Sequence, residues 1–351
     1  MLKRWWKGLG IFLLVLLLVA CVPQNDQAPI ESGSGENQGN QTSEGSGGSE
    51  ATYTFKLSHV TAPTHGWHKT AEKFNEELQA RSDGRMRVDI FPNSQLGTEA
   101  DMLQQMETGT LDFGLITNAY MSTRAEEFNA WFMPFLFKDL AEASEARNSE
   151  PAQQMLKNLE SQGLIGLGFS FAGNRHVLMK TGAVTKPEDL KGKKLRIIGS
   201  PAMSDFWEAL GVAPTAMPLQ EVYTALQTGV IDGIDIDLDA LVTQKFYEVA
   251  KDLTLTNHMA FPSVAVMSKV TYDKLSPEDQ QIVVEAMQAA IEWGVQDAIK
   301  REEENLQFVI DQGLNITEMT DPSAFEAVKE QIYSKYSSNE IIKAFIEAHQ
   351  K

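Results

Sequence analysis

Alternating aspartates are the densest chemistry in this chain: Asp235, Asp237 and Asp239 take every second position after Asp232-Gly233. In an extended segment they share one face. Their spacing imitates the first half of a calcium loop. Ala240, however, stands where such a loop needs glycine, and Phe246 where it needs a bidentate acid, which excludes calcium. His59, His65 and His68 gather at the first strand–helix junction. A His-x-x-His pair with no cysteine or carboxylate motif beside it is a poor zinc set, so no metal is expected. Gly168-Phe169-Ser170-Phe171-Ala172 lacks the closing glycine of a nucleophile elbow. Gly163, Gly166 and Gly168 have the wrong spacing for a phosphate loop. With no acid, base and nucleophile set, the chain reads as a non-enzyme without a cofactor.

One further residue carries covalent chemistry. Cys21 is the single cysteine and closes the run Leu18-Val19-Ala20-Cys21, after basic Lys3, Arg4 and Lys7 and an apolar stretch from Ile11 to Val19. This is the pattern of a secretory signal ending in a lipobox. It predicts cleavage before Cys21 and a diacylglyceryl thioether on the thiol, whose two acyl chains give stable anchoring. No cysteine is left for a disulfide, so the fold rests on its core. Residues 22–51 are mostly Gly, Ser, Asn, Gln and Glu and read as a disordered linker between anchor and body. Lys and Arg number 30 and Asp and Glu 48; the signal takes 3 bases and no acids, so 30 − 3 − 48 leaves the mature chain at −21. Nucleic acid is excluded as a partner by that charge. A localised cluster of cations could still hold an anion.

The elements that position these residues follow from periodicity. Thr54 to His59 alternates like a strand, Trp67 to Ala80 is an amphipathic helix, and Met86 to Phe91 alternates again. Thr98-Glu99-Ala100-Asp101 reads as a capping box that opens a helix ending near Gly109, and Leu111 to Thr117 is a third strand. Strand, helix, strand, helix, strand predicts a parallel sheet. A second α/β unit follows Leu164, with strands at Val177–Lys180, Lys194–Ile198 and Ile231–Ile236 and helices at Pro201–Leu210 and Leu219–Thr228. Ser276-Pro277-Glu278-Asp279 starts a helix whose apolar period runs to Gly313. At about 50 Å it is long enough to cross two domains.

Several longer motifs occur in order. They are Phe91-Pro92-Asn93-Ser94-Gln95-Leu96-Gly97, Lys191-Gly192-Lys193-Lys194-Leu195-Arg196, the run Ala209 to Pro218, and Glu221 to Gly233 followed by Gln244-Lys245-Phe246-Tyr247-Glu248-Val249. From about Tyr53 to the C-terminus the chain resembles the extracytoplasmic solute-binding proteins of TRAP (tripartite ATP-independent periplasmic) transporters. The resemblance implies an α/β, two-lobed periplasmic-binding-protein fold of type II with hinge strands and a long helix spanning both lobes. Residues 52–173 with 262–300 would form lobe 1, and 174–261 with 301–351 lobe 2. The protein would be a monomer held to the membrane by its lipid anchor. It would capture a small organic acid outside the cytoplasm and deliver it to membrane permease subunits. A sensory lipoprotein that presents the same ligand to a receptor kinase is the alternative.

The resemblance also implies site residues. Arg196 matches a family arginine that bridges the ligand carboxylate; a guanidinium offers a planar fork of donors and keeps its charge. Arg175 matches a second arginine at the cleft wall near the hinge. Thr117, Glu99 and Leu219 fall at positions that meet the ligand, and Trp207 would wall the site or pack behind it. His59 or His65 would donate a hydrogen bond to ligand, while His68 would face the helix surface. The main departure is Ile236, where relatives often carry an asparagine that bonds the ligand. If Asp235 and Asp237 enter the cleft, they accept hydroxyls and repel a second carboxylate. That favours uronates or other sugar acids over C4-dicarboxylates, although a solvated acidic loop fits the same residues.

Overall fold

The computed structural model describes residues 53–319 and 322–350. The lipobox with Cys21 and the linker 22–51 lie outside the described residues. Eleven strands form two sheets within the described residues. They are β1 (Tyr53–His59), β2 (Met86–Phe91), β3 (Phe113–Thr117), β4 (Leu164–Asn174), β5 (His176–Met179) and β6 (Lys194–Ile197), then β7 (Ala213–Ala216), β8 (Gly233–Ile236), β9 (Asp252–Leu255), β10 (Ala260–Ser268) and β11 (Asn315–Glu318). The first sheet has the order β2-β1-β3-β10-β4 and the second β11-β9-β5-β8-β6-β7. This is the two-lobed α/β architecture that the resemblance implies.

The first three strands pair in parallel. The sheet is not parallel throughout, because β10 returns from the second sheet and runs antiparallel to both β3 and β4. Local periodicity does not carry that pairing, which joins β10 to strands about 90 to 150 residues earlier in the chain. Arg175 alone separates β4 of the first sheet from β5 of the second. The chain crosses back between β9 and β10 and again along the helix Pro277–Asp311, which is 35 residues long.

That helix starts where the sequence places it. The Ser276 side chain accepts from Asp279 N, and Pro277 occupies the first turn, where its missing N–H is not needed. Val283, Ala286, Ala290 and Ile291 pack into the larger core, which lines the first sheet and extends to β5 and β6 of the second, whereas Val309 packs into a separate core beneath β8 and β9. The helix therefore braces both halves. The C-terminal segment departs from the expected division. The helix Glu326–Tyr336 packs on Pro201–Ala209 of the second half, but Glu340–His349 packs on the helix Glu150–Asn158 and the turn Glu126–Phe132 of the first. Its apolar face, Ile342, Phe345 and Ile346, is buried there, with Phe345 4.8 Å from the ring of Trp131.

Candidate functional site

A cavity of about 260 Å³ lies between the two sheets. Its walls come from the carboxyl ends of strands and the helix starts that follow them, where open α/β sheets place their ligands. Thr117 and Glu99 come from the first sheet's side, and Arg196, Met217 to Gln220 and Asp237 from the second. Arg175 enters from the crossover.

Arg196 is the cavity's decisive group. It is 1% exposed. Its Nε and Nη2 donate to one acceptor, the Met217 carbonyl, at 3.1 and 2.9 Å. Its Nη1 is buried without a hydrogen-bond partner. Burial, reinforced by nearby Arg175, lowers its pKa to about 9. A cation kept dry with one corner unpaired is costly, by roughly 3–5 kcal/mol when the natural partner is missing. An anion entering the cavity recovers that cost.

Arg175 is buried too, but its charge is already met. Its Nε contacts Asp235 Oδ1 at 2.5 Å, its Nη1 contacts Asp237 Oδ2 at 3.0 Å, and its Nη2 donates to the Asp235 carbonyl. Its guanidinium also lies 4.2 Å from the centre of the Phe261 ring. Asp235 additionally accepts from Trp207 Nε1 at 2.8 Å and pairs with His258 Nε2 at 3.2 Å. Burial alone would raise the Asp235 carboxyl; Arg175 and His258 outweigh it and hold the group below the usual carboxylate range.

Opposite Arg196 the wall is built from Glu99 and Thr117. Glu99 accepts from Thr117 N at 2.6 Å and from Thr117 Oγ1 at 3.1 Å. Burial pushes its carboxyl up to about 7, against the pull of those two bonds and of Arg196. Across the mouth, Gln220 Nε2 donates to Val60 O at 3.0 Å and to Ser94 Oγ at 2.8 Å, tying the two halves together.

The chain matches the model for bacterial extracellular solute-binding protein, family 7, over residues 57–339. It belongs to that family. It is 34% identical over 240 residues to the 2,3-diketo-L-gulonate-binding periplasmic protein of Escherichia coli, a match that covers 68% of this chain and 73% of the relative. A TRAP periplasmic solute-binding protein from Sulfitobacter with bound β-D-galacturonate superposes with a TM-score of 0.79 at 28% identity, covering 84% of this chain and 99% of the other. One from Shewanella oneidensis with bound succinate gives 0.80 at 27%, covering 85% and 99%.

In this family 7 chain, the residues singled out from sequence divide into two groups. Arg196, Arg175, Thr117, Glu99, Leu219 and Asp237 line the cavity. Asp235, Trp207, His59 and His65 do not. Asp235 is consumed by Arg175, Trp207 and His258. Trp207 packs edge-on against Phe206 and His258, its indole N–H spent on Asp235. His59 is buried between Thr61 and His68, with His59 Nε2 3.0 Å from His68 Nδ1. Burial, then His68 and His65, lower its pKa to about 3. His68 therefore turns inward rather than to the helix surface, and its other nitrogen lies 3.4 Å from Glu72. His65 caps the helix Gly66–Arg81 by accepting from Trp67 N at 3.0 Å.

The three aspartates are neither a solvated loop nor one extended face. All are buried. β8 stops at Ile236 because Asp237 caps the next helix, accepting from Ala240 N at 2.7 Å. Asp239 then accepts from Gly66 N at 2.7 Å and pairs with Arg301. Ile236 gives the cavity an apolar wall. Gln220, Tyr120, Trp67 and Phe261 also line the site and were not singled out from sequence. Gln220 carried a weak signal, as a polar residue in the first turn of the helix Leu219–Thr228.

Proposed function

We propose that this protein is the extracytoplasmic receptor of a TRAP-type transporter, and that it captures a small organic acid by closing over an Arg196–carboxylate bridge. The ligand then passes to membrane permease subunits. The observation that carries the reading is the buried, unpartnered Nη1 of Arg196 on the cavity wall. An unpaired buried cation disfavours closure without an anion, so closure reports the presence of ligand.

The wall also bears on ligand class. Among the described lining residues the cations are Arg175 and Arg196, and Arg175 already faces two carboxylates. Asp237 opposes a second negative charge, and Glu99 supplies no cation to meet one. One carboxylate with hydroxyls elsewhere, as in a uronate, fits better than a dicarboxylate. The dicarboxylate reading is favoured by the succinate-bound structural neighbour. Cys21 would carry the lipid anchor and 22–51 would span the gap to the body.

A thermal-shift screen tests the function, with D-galacturonate, D-glucuronate, D-gluconate and succinate among the acids. A ligand at about 100 times its Kd adds about 2.7 kcal/mol. For a body of this size that raises Tm by about 4 °C. No shift with any organic acid would remove the proposal.

A further inference from the structure

On the first half, the mouth of the cavity is a short piece of chain, residues 59–61, laid against the turn at Asn93 and Ser94. Ser94 N donates to His59 O at 3.1 Å, and Asn93 N to Thr61 O at 2.9 Å. Val60 O and Ser94 Oγ are the two acceptors that Gln220 reaches from the other half. Asn93 and Ser94 are both left-handed, at φ 52° and 55°, a backbone that non-glycine residues adopt at a cost and keep where their surroundings impose it. We propose that His59 and His68 are positioning residues for this mouth: joined as neutral rings of one fixed tautomer, they hold residues 59–61 in place, and a proton taken up by either ring releases them. This rests on the reading of the cavity as the ligand site.

The tautomers follow from one backbone group. Thr61 N–H can only donate, and it meets His59 Nδ1 at 3.3 Å, with Thr61 Oγ1 3.0 Å from the same nitrogen. His59 Nδ1 therefore carries no proton, and the neutral ring carries it on Nε2. His59 Nε2 lies 3.0 Å from His68 Nδ1, so the first donates and the second accepts. The His68 proton is left on Nε2, 3.4 Å from the Glu72 carboxylate. Each ring keeps one unprotonated nitrogen, and an N–H already points at it. A proton on His59 Nδ1 would stand against Thr61 N–H, and one on His68 Nδ1 against His59 Nε2–H.

The surroundings do not offset such a charge. His59 and His68 are both buried. The titratable and charged groups that face the pair are His65, Lys69 and Glu72, from the helix Gly66–Arg81 and the turn before it. The long helix brings Arg301, already paired with Asp239 and Asp297. Gln220 and the turn at Asn93 and Ser94 bring neutral groups. Glu72 favours a charge on His68 but reaches only its far nitrogen. Burial, and after it His68 and His65, lowers the His59 pKa to about 3, and burial lowers that of His68 as well. A ring held below the ordinary value of about 6.5 favours the closed mouth at neutral pH and favours release as the pH falls from 6.5 toward the lower value. By that linkage His59 alone shifts the balance about 25-fold between pH 7 and 5.

Two measurements on the empty protein test this, so its fate is separate from that of Arg196. Nitrogen-15 ring spectra at pH 7.5 should show both rings protonated at Nε2 alone; a proton on Nδ1 of either ring overturns the inference. Hydrogen exchange read by mass spectrometry, corrected for intrinsic rates, follows the mouth itself. From pH 7 to 5, segments 58–62 and 92–97 should lose protection about tenfold or more, while β10 loses less than about threefold. The double variant His59→Asn, His68→Asn offers oxygen acceptors and takes up no proton, so its two segments should lose less than about threefold. An equal loss in β10, no loss in wild type, or the wild-type loss in the double variant overturns the inference. Should the double variant fail to fold, the ring spectra and the comparison with β10 in wild type decide.

Discussion

Replacing Arg196 by methionine keeps most of the side chain's length and removes its charge. In the empty protein, the wild-type cation is desolvated and its Nη1 unpartnered. A base whose pKa falls on folding, here to about 9, opposes folding at every pH below that value. The opposition fades as the pH climbs above about 9 toward the higher, ordinary value of an arginine. The two bonds to the Met217 carbonyl return part of the cost, at roughly 1.5–3 kcal/mol for bonds from a charged donor. Near neutral pH part of the cost remains, so Arg196→Met should melt no lower than wild type. Binding behaves differently. A ligand carboxylate closed into the cavity without its partner costs about 2–5 kcal/mol. That is roughly 30- to 4000-fold in Kd. Calorimetry with the best acid from the screen, beside a thermal melt of the empty protein, reads both. Affinity within about threefold of wild type, or a collapse of the empty variant's Tm, would refute the argument.

Gln220→Ala removes two bonds across the cleft mouth and should weaken ligand binding about five- to thirtyfold, with a larger radius of gyration by X-ray scattering; an unchanged radius and Kd would count against the clasp. Glu302, on the long helix, accepts from Asn174 N and Nδ2 at the crossover, and burial pushes its carboxyl up to about 7. A carboxyl raised on folding contributes stability below its unfolded pKa of about 4.3 and loses it as the pH rises to about 7. Glu302→Gln should therefore lose less stability than wild type between pH 4 and 8, by at most about 1.4 kcal/mol per pH unit; parallel urea-melt profiles would reject this. Cys21→Ser should move the protein from the membrane fraction to the soluble fraction, and a processed form that stays with the membrane would rule out the lipid anchor.

The elements that local chemistry specifies were legible. Thr98 and Asp101 form the capping box expected of them, and Ser276-Pro277 opens the helix that joins both cores. The β10 pairings were not, because a strand's partner is chosen by the whole topology. The site divides on the same line. Arg196 is recognisable because it lies in a strand inside a long ordered motif. Asp235 looked equally available, yet its partners come from three other segments, at Arg175, Trp207 and His258, and only assembly shows that it is spent. Trp67 reads as a core position in register with Ala71, Phe74 and Leu78. Nothing in that register tells that its ring also lines the cavity.

One helix lends its side chains to both apolar cores, with Val283 in one and Val309 in the other. Fraying of that shared rod would strip contacts from both cores. The protein should then denature in one cooperative step.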